Sequence, residues 1–154
     1  MGYKKYKRVF YRGGRDKYSI EQTAGTLTAD TSGRAGVIVV PPSTTQGMRK
    51  VKHIEVSMAT PGASGAPSVL YWAIVYVPQG TTVGQIQVDN GGGMYEPNQF
   101  VMSCGVFDFD AGPLRVRSPL SRNLNSGDEI VLLLQTTGGA YTFNYVVRYA
   151  ITLQ

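Results

Sequence analysis

From residue 142 to 154 the chain alternates. Phe143, Tyr145, Val147, Tyr149, Ile151 and Leu153 are apolar or aromatic, while Thr142, Asn144, Arg148, Thr152 and Gln154 on the other parity are polar; Val146 and Ala150 break the rule. A period of two sustained this long fits a strand with one face in a core, and it ties the C-terminus into a sheet. Nothing elsewhere shows a 3.6-residue apolar period. Whatever this chain folds into is therefore built from strands.

Further strand signals recur between clusters of Gly and Pro. Segments 18–28, 36–40, 49–58, 100–110 and 114–117 read as strands, with a short piece at 83–88. Two runs, 69–77 and 130–134, are apolar on both parities, so each is covered on both sides, by the core and by a connecting segment or another chain. In 100–110 the apolar parity switches just after Gly105, which predicts a bulge or bend there. Segments 59–67 and 89–94 are rich in small residues, Gly and Pro and read as loops. About eight strands in one domain fit an all-β, single antiparallel jelly-roll sandwich.

The charge is unevenly placed. Residues 1–17 hold seven Lys or Arg and one acid, 7 − 1 = +6, whereas residues 18–154 hold eight basic and nine acidic residues, 8 − 9 = −1. The division is a basic N-terminal arm, 1–17, on a nearly neutral shell domain, 18–154. Such asymmetry points to a polyanion. Lys4, Lys5, Lys7, Arg8, Arg12, Arg15 and Lys17 would neutralise phosphates, and Tyr3, Tyr6 and Tyr11, with Phe10, would stack on unpaired bases. The cluster Lys4-Lys5-Tyr6-Lys7-Arg8 also suits nuclear import. No apolar stretch follows these charges as in a secretory signal, and no apolar run approaches the ~18 residues of a membrane span. The expectation is a soluble intracellular product with no membrane insertion.

Chemistry is sparse. The single Cys, Cys104, and the single His, His53, lie far apart and form no metal-ligand cluster. His53 reads as a hydrogen-bonding residue beside Glu55 on a strand face. Asp108 and Asp110 offer paired carboxylates of the kind Ca²⁺ takes, but read better as a solvated face opposite Phe107 and Phe109. Gly91-Gly92-Gly93 lacks the Lys-Ser/Thr and helix of a phosphate loop. The reading is no catalytic residue, no metal, no cofactor and no enzyme.

Several stretches carry a resemblance: 48–56 (MRKVKHIEV), 76–81 (YVPQGT), 95–101 (YEPNQFV) and 117–128 (RSPLSRNLNSGD). In this order they resemble capsid proteins of small circular single-stranded DNA viruses, circovirus-like and nanovirus-like, from about residue 48 to the end. The resemblance implies a virion protein whose jelly roll self-assembles, about sixty copies closing a T=1 icosahedral shell. It also implies a packaged single-stranded DNA genome, an inward-facing arm and host-nuclear assembly. At +6 the arm is shorter and poorer in Arg than this family's arms, so interior groups such as Lys50, Lys52, Arg115 and Arg117 would have to assist it. Three other classes fit the residues: an RNA satellite-virus capsid, a non-capsid β-barrel nucleic-acid-binding module, and a carbohydrate-binding jelly roll with Trp72 as a sugar platform. The module would need basic and aromatic residues on a sheet face as well as on a tail.

Overall fold

The structure, a computed structural model, describes residues 18–30, 35–60, 69–83, 100–108 and 112–153. They form nine strands: β1 (Tyr18–Ala29), β2 (Ala35–Val40), β3 (Arg49–Ala59), β4 (Val69–Val77), β5 (Phe100–Asp108), β6 (Leu114–Ser118), β7 (Arg122–Leu124), β8 (Glu129–Thr136) and β9 (Tyr141–Leu153). One sheet runs β1-β9-β3-β6, with β7 also paired to β3; the other runs β2-β8-β4-β5. All pairings are antiparallel.

The connectivity is that of a jelly roll. β6 and β7 lie in succession along β3, against Ile54–Met58 and then Arg49–Val51, so they are one strand broken at Pro119. Counted that way, the first strand pairs with the last, the second with the seventh, the third with the sixth and the fourth with the fifth. This is a long antiparallel ribbon wrapped into two sheets. The expected strands appear, with β7 in addition. Of the short strand expected at 83–88, only Val83 is described, and it is not in a strand; 84–88 lie outside the described residues.

The core lies between the sheets. Phe143, Tyr145, Val147 and Tyr149 of β9 meet Leu132 and Leu134 of β8 and Trp72 and Ile74 of β4 in one buried cluster. This is the apolar parity read from the sequence, now buried. The two strands apolar on both parities are explained by a second cluster on the far side of the same sheet: Ala73, Val75, Val77, Val131 and Leu133. These residues are buried within a single chain, so no second copy is needed to cover them.

The parity switch in β5 has a different origin from the one expected. Ser103 pairs with Ile74 and Val101 with Val75, leaving Met102 as the extra residue, whereas Gly105 pairs regularly with Trp72. The bulge is therefore at Met102. Gly105 answers to a steric constraint instead. A Cβ there would lie 2.8 Å from Cζ2 of the Trp72 indole, a ring only 7% exposed. Gly105→Ala will cost about 1–3 kcal/mol through overpacking, measured by denaturant unfolding. The burial of Trp72 also removes it as a sugar platform.

Candidate nucleic-acid interface

The outer face of the β1-β9-β3-β6 sheet is where charge collects. Its residues follow from the register. One row across the sheet is Gln22, Arg148, Glu55 and Arg117; the next on one side holds Ala24, Val146, Ser57 and Arg115; on the other side come Ile20, Ala150 and Lys52, then Tyr18, Thr152 and Lys50. Five of the eight cations of residues 18–154 thus share this face: Lys50, Lys52, Arg115, Arg117 and Arg148. Glu55 is the one acidic residue among them in the described rows, which gives 5 − 1 = +4. A body of net −1 conceals a strongly cationic side.

Glu55 organises the two arginines of β6. Arg115 Nε lies 2.5 Å from its Oε1 and Arg117 Nη2 lies 3.4 Å from its Oε2. Partial burial raises the Glu55 pKa, but the two guanidiniums outweigh it and hold the carboxyl below its ordinary value. The arginine stems are mostly exposed, so both guanidiniums remain accessible to a solvent-borne anion.

A β-bulge shapes this face. In the β3–β9 ladder Lys52 pairs with Ala150 and Glu55 with Arg148, so His53 and Ile54 together oppose Tyr149. His53 carries φ 54°, a left-handed conformation that is uncommon outside Gly and in which His is among the enriched residues. The extra residue lets both Val51 and Ile54 point into the core, and puts exposed His53 beside the cationic row. Beside the bulge is a cleft of about 300 Å³, bordered by Tyr18, Ile20, Lys52, His53, Arg117 and Arg148, with the Glu55 carboxylate also in its lining. Ala150 accounts for the depression: it is the short side chain between Ile20 and Lys52 in the register.

Each proposed arm residue, namely Tyr3, Lys4, Lys5, Tyr6, Lys7, Arg8, Tyr11, Arg12, Arg15 and Lys17, lies outside the described residues. Their attachment point is described. Tyr18, which follows Lys17 in the sequence, borders the cleft, so the described residues begin at the edge of the cationic face. Lys50, Lys52, Arg115 and Arg117, invoked as helpers of the arm, are brought together on that face. Arg148 and His53 join them unforeseen. The available signals were Arg148 as the lone charge on the polar parity of β9, and the three-residue step from Val51 to Ile54, which breaks a period of two.

Asp108 ends β5 with an exposed side chain, and Asp110 lies outside the described residues. Among the described residues no three His, Cys, Asp or Glu side chains group as a metal site.

No family model and no curated protein matches the chain. Among solved structures it is similar to a chain of Bacillus endospore appendages, described as a novel family of disulfide-linked pili, at 13% identity over 92% of this chain and 93% of that one, with a TM-score of 0.36. It is similar also to a chain of Desmodium yellow mottle tymovirus, at 8% identity over 91% of this chain and 90% of that one, with a TM-score of 0.41. A chain of infectious bursal disease virus, Gx strain, is similar at 11% identity over 89% of this chain and 32% of that one, with a TM-score of 0.38. These likenesses are too distant to bear on function.

Proposed function

We propose that this chain is a viral coat protein: it self-assembles into a closed shell and holds a single-stranded nucleic acid, DNA by the sequence resemblance, against its arm and the outer face of the β1-β9-β3-β6 sheet. The observation that carries this reading is the segregation of charge. Residues 1–17 carry +6 and the sheet face that begins beside them carries +4, which leaves 5 − 10 = −5 on the rest of the chain. Phosphates bound there would release counterions, a gain independent of base sequence. The opposite sheet supplies surface of another kind. Ile38 and Val106, the latter 58% exposed, stand on its outer margin, and exposed Phe100 ends its edge strand. Apolar groups away from the nucleic-acid side suit contacts between subunits. The same arm cluster would direct the protein to the host nucleus before assembly. The doubly apolar strands no longer count toward a shell, because one chain buries them.

One observation favours a second reading. The basic sheet face with a tyrosine at its border is what a monomeric nucleic-acid-binding module would need. Particle formation separates the two. Expressed alone, the chain should give shells tens of nanometres across by electron microscopy, with an absorbance ratio at 260/280 nm that reports nucleic acid inside. Deleting residues 1–17 should leave shells with less nucleic acid. A chain that stays monomeric at every salt concentration while binding nucleic acid would establish the module instead.

A further inference from the structure

We propose that the cleft beside His53 takes one unpaired base of a bound strand, with the neighbouring phosphates on Arg117, Arg148 and Lys52. This rests on the reading that the cationic face meets nucleic acid, and adds that the face distinguishes single strands from duplexes.

Three observations converge on the cleft. Its apolar border is made by Tyr18 and Ile20, which are 62% and 63% exposed although both are large and apolar. Its cationic border follows directly, since Arg148 and Lys52 neighbour Ile20 and Ala150 along and across the sheet. Its shape depends on a bulge whose His53 is held in a sparsely populated backbone conformation, the kind of local strain that clusters at binding sites. A volume of about 300 Å³ is at the small end of the roughly 300–1,000 Å³ typical of ligand clefts. That suits a single ring rather than an extended apolar segment. A duplex turns its base faces inward and offers such a cleft nothing but phosphate, whereas a single strand offers a ring face to Tyr18 at the spacing of its own backbone. An anionic membrane would engage the charges, but has no planar group to seat among Tyr18, Ile20 and His53.

The test uses the full chain, its Ala150→Leu variant, which fills the depression, and its Tyr18→Ala variant at an exposed site. Binding is measured at one salt concentration to an oligothymidylate, to an abasic strand of equal length, to a duplex and to phosphatidylserine vesicles. The wild-type chain should prefer the oligothymidylate to the abasic strand by about tenfold. Both variants should lose most of that preference while still binding the abasic strand. Because the arm is unchanged in the variants, its own tyrosines cannot produce the difference. Photocrosslinking with an iodouracil-substituted strand should mark peptides holding Tyr18 or His53. Equal binding of oligothymidylate and abasic strand, full preference in both variants, or crosslinks confined to Tyr3, Tyr6 and Tyr11 would overturn the cleft and leave the cationic face standing. Vesicle binding that Ala150→Leu abolishes would overturn it in favour of a membrane. If neither strand binds, the nucleic-acid reading fails with it.

Discussion

Replacing Lys52, Arg117 and Arg148 together with Gln will weaken binding of a single strand by about a hundredfold at moderate salt and lower the slope of log K against log salt by roughly 2. The magnitude follows from counterion release. Each phosphate contact on a single strand contributes about 0.7 to that slope, and three contacts are removed. The fold should survive. Arg117 and Arg148 are exposed, Arg115 stays beside Glu55, and exposed ion pairs contribute little to stability. Glutamine removes the charge while keeping an unbranched stem with a polar end, so the change in salt slope reads the lost charge. Titrations at four or five salt concentrations read both quantities at once. An unchanged slope would mean that the arm alone meets the nucleic acid and that the +4 face points elsewhere. Deleting residues 1–17 should be roughly additive with the triple substitution if arm and face touch separate phosphates.

The fold was legible where burial follows a simple period. β9 announced itself because its core side is apolar at nearly every second residue, and the doubly apolar β4 and β8 stood out because both of their faces are buried. β7 escaped because three residues, Arg122-Asn123-Leu124, are too few to show a period and only Leu124 is buried. The bulges were harder. A bulge shifts parity, and so does a strand boundary; a glycine nearby attracts the inference, as Gly105 did, although Met102 is the extra residue and the glycine merely clears the Trp72 ring. The arm was legible as charge in sequence. The cationic face was legible only in part: the resemblance singles out Lys50, Lys52, Arg115 and Arg117 as helpers of the arm, but their meeting with Arg148 on one face is hidden, because the five come from three separate segments and acids elsewhere cancel them in the sum. Only the pairing of β3 with both β6 and β9 sets them side by side.

Asp128→Ala will destabilise the chain by about 3–5 kcal/mol, a large part of the roughly 5–15 kcal/mol that holds a domain folded. This carboxylate, 3% exposed, accepts three hydrogen bonds: from Tyr76 Oη at 2.7 Å, from the Asn125 backbone N–H at 2.8 Å, and from the Gln79 backbone N–H at 3.0 Å. It therefore ties the end of β4 and the turn after it to the turn that enters β8. That second turn is itself bound to the β2–β3 connection, through Gly127 N–H and Ser126 Oγ on the Ser43 carbonyl, each at 3.0 Å. Alanine would leave the three donors of the carboxylate unmet in a confined space. The Arg122 guanidinium, 4.2 Å from the Tyr76 ring centroid and 4.8 Å from that of Phe100, would lose part of its support as Tyr76 loosened. Burial by itself would raise the Asp128 pKa, but the bonds from Gln79, Tyr76 and Asn125 outweigh it, so the folded-state pKa lies below the ordinary value. The sign follows. A depressed pKa means the unfolded chain takes up the proton first, so this stabilisation is complete above the unfolded value of about 3.9 and is lost as pH falls through the folded one. Denaturant unfolding between pH 7 and pH 3 should show stability falling steeply in the acid range for the native chain. Asp128→Ala should start lower and fall less. Asp128→Asn, which keeps one acceptor oxygen, should lie between them in stability at pH 7 and share the shallower acid dependence. An Asp128→Ala chain as stable as the native one at pH 7 would show that water satisfies the three donors.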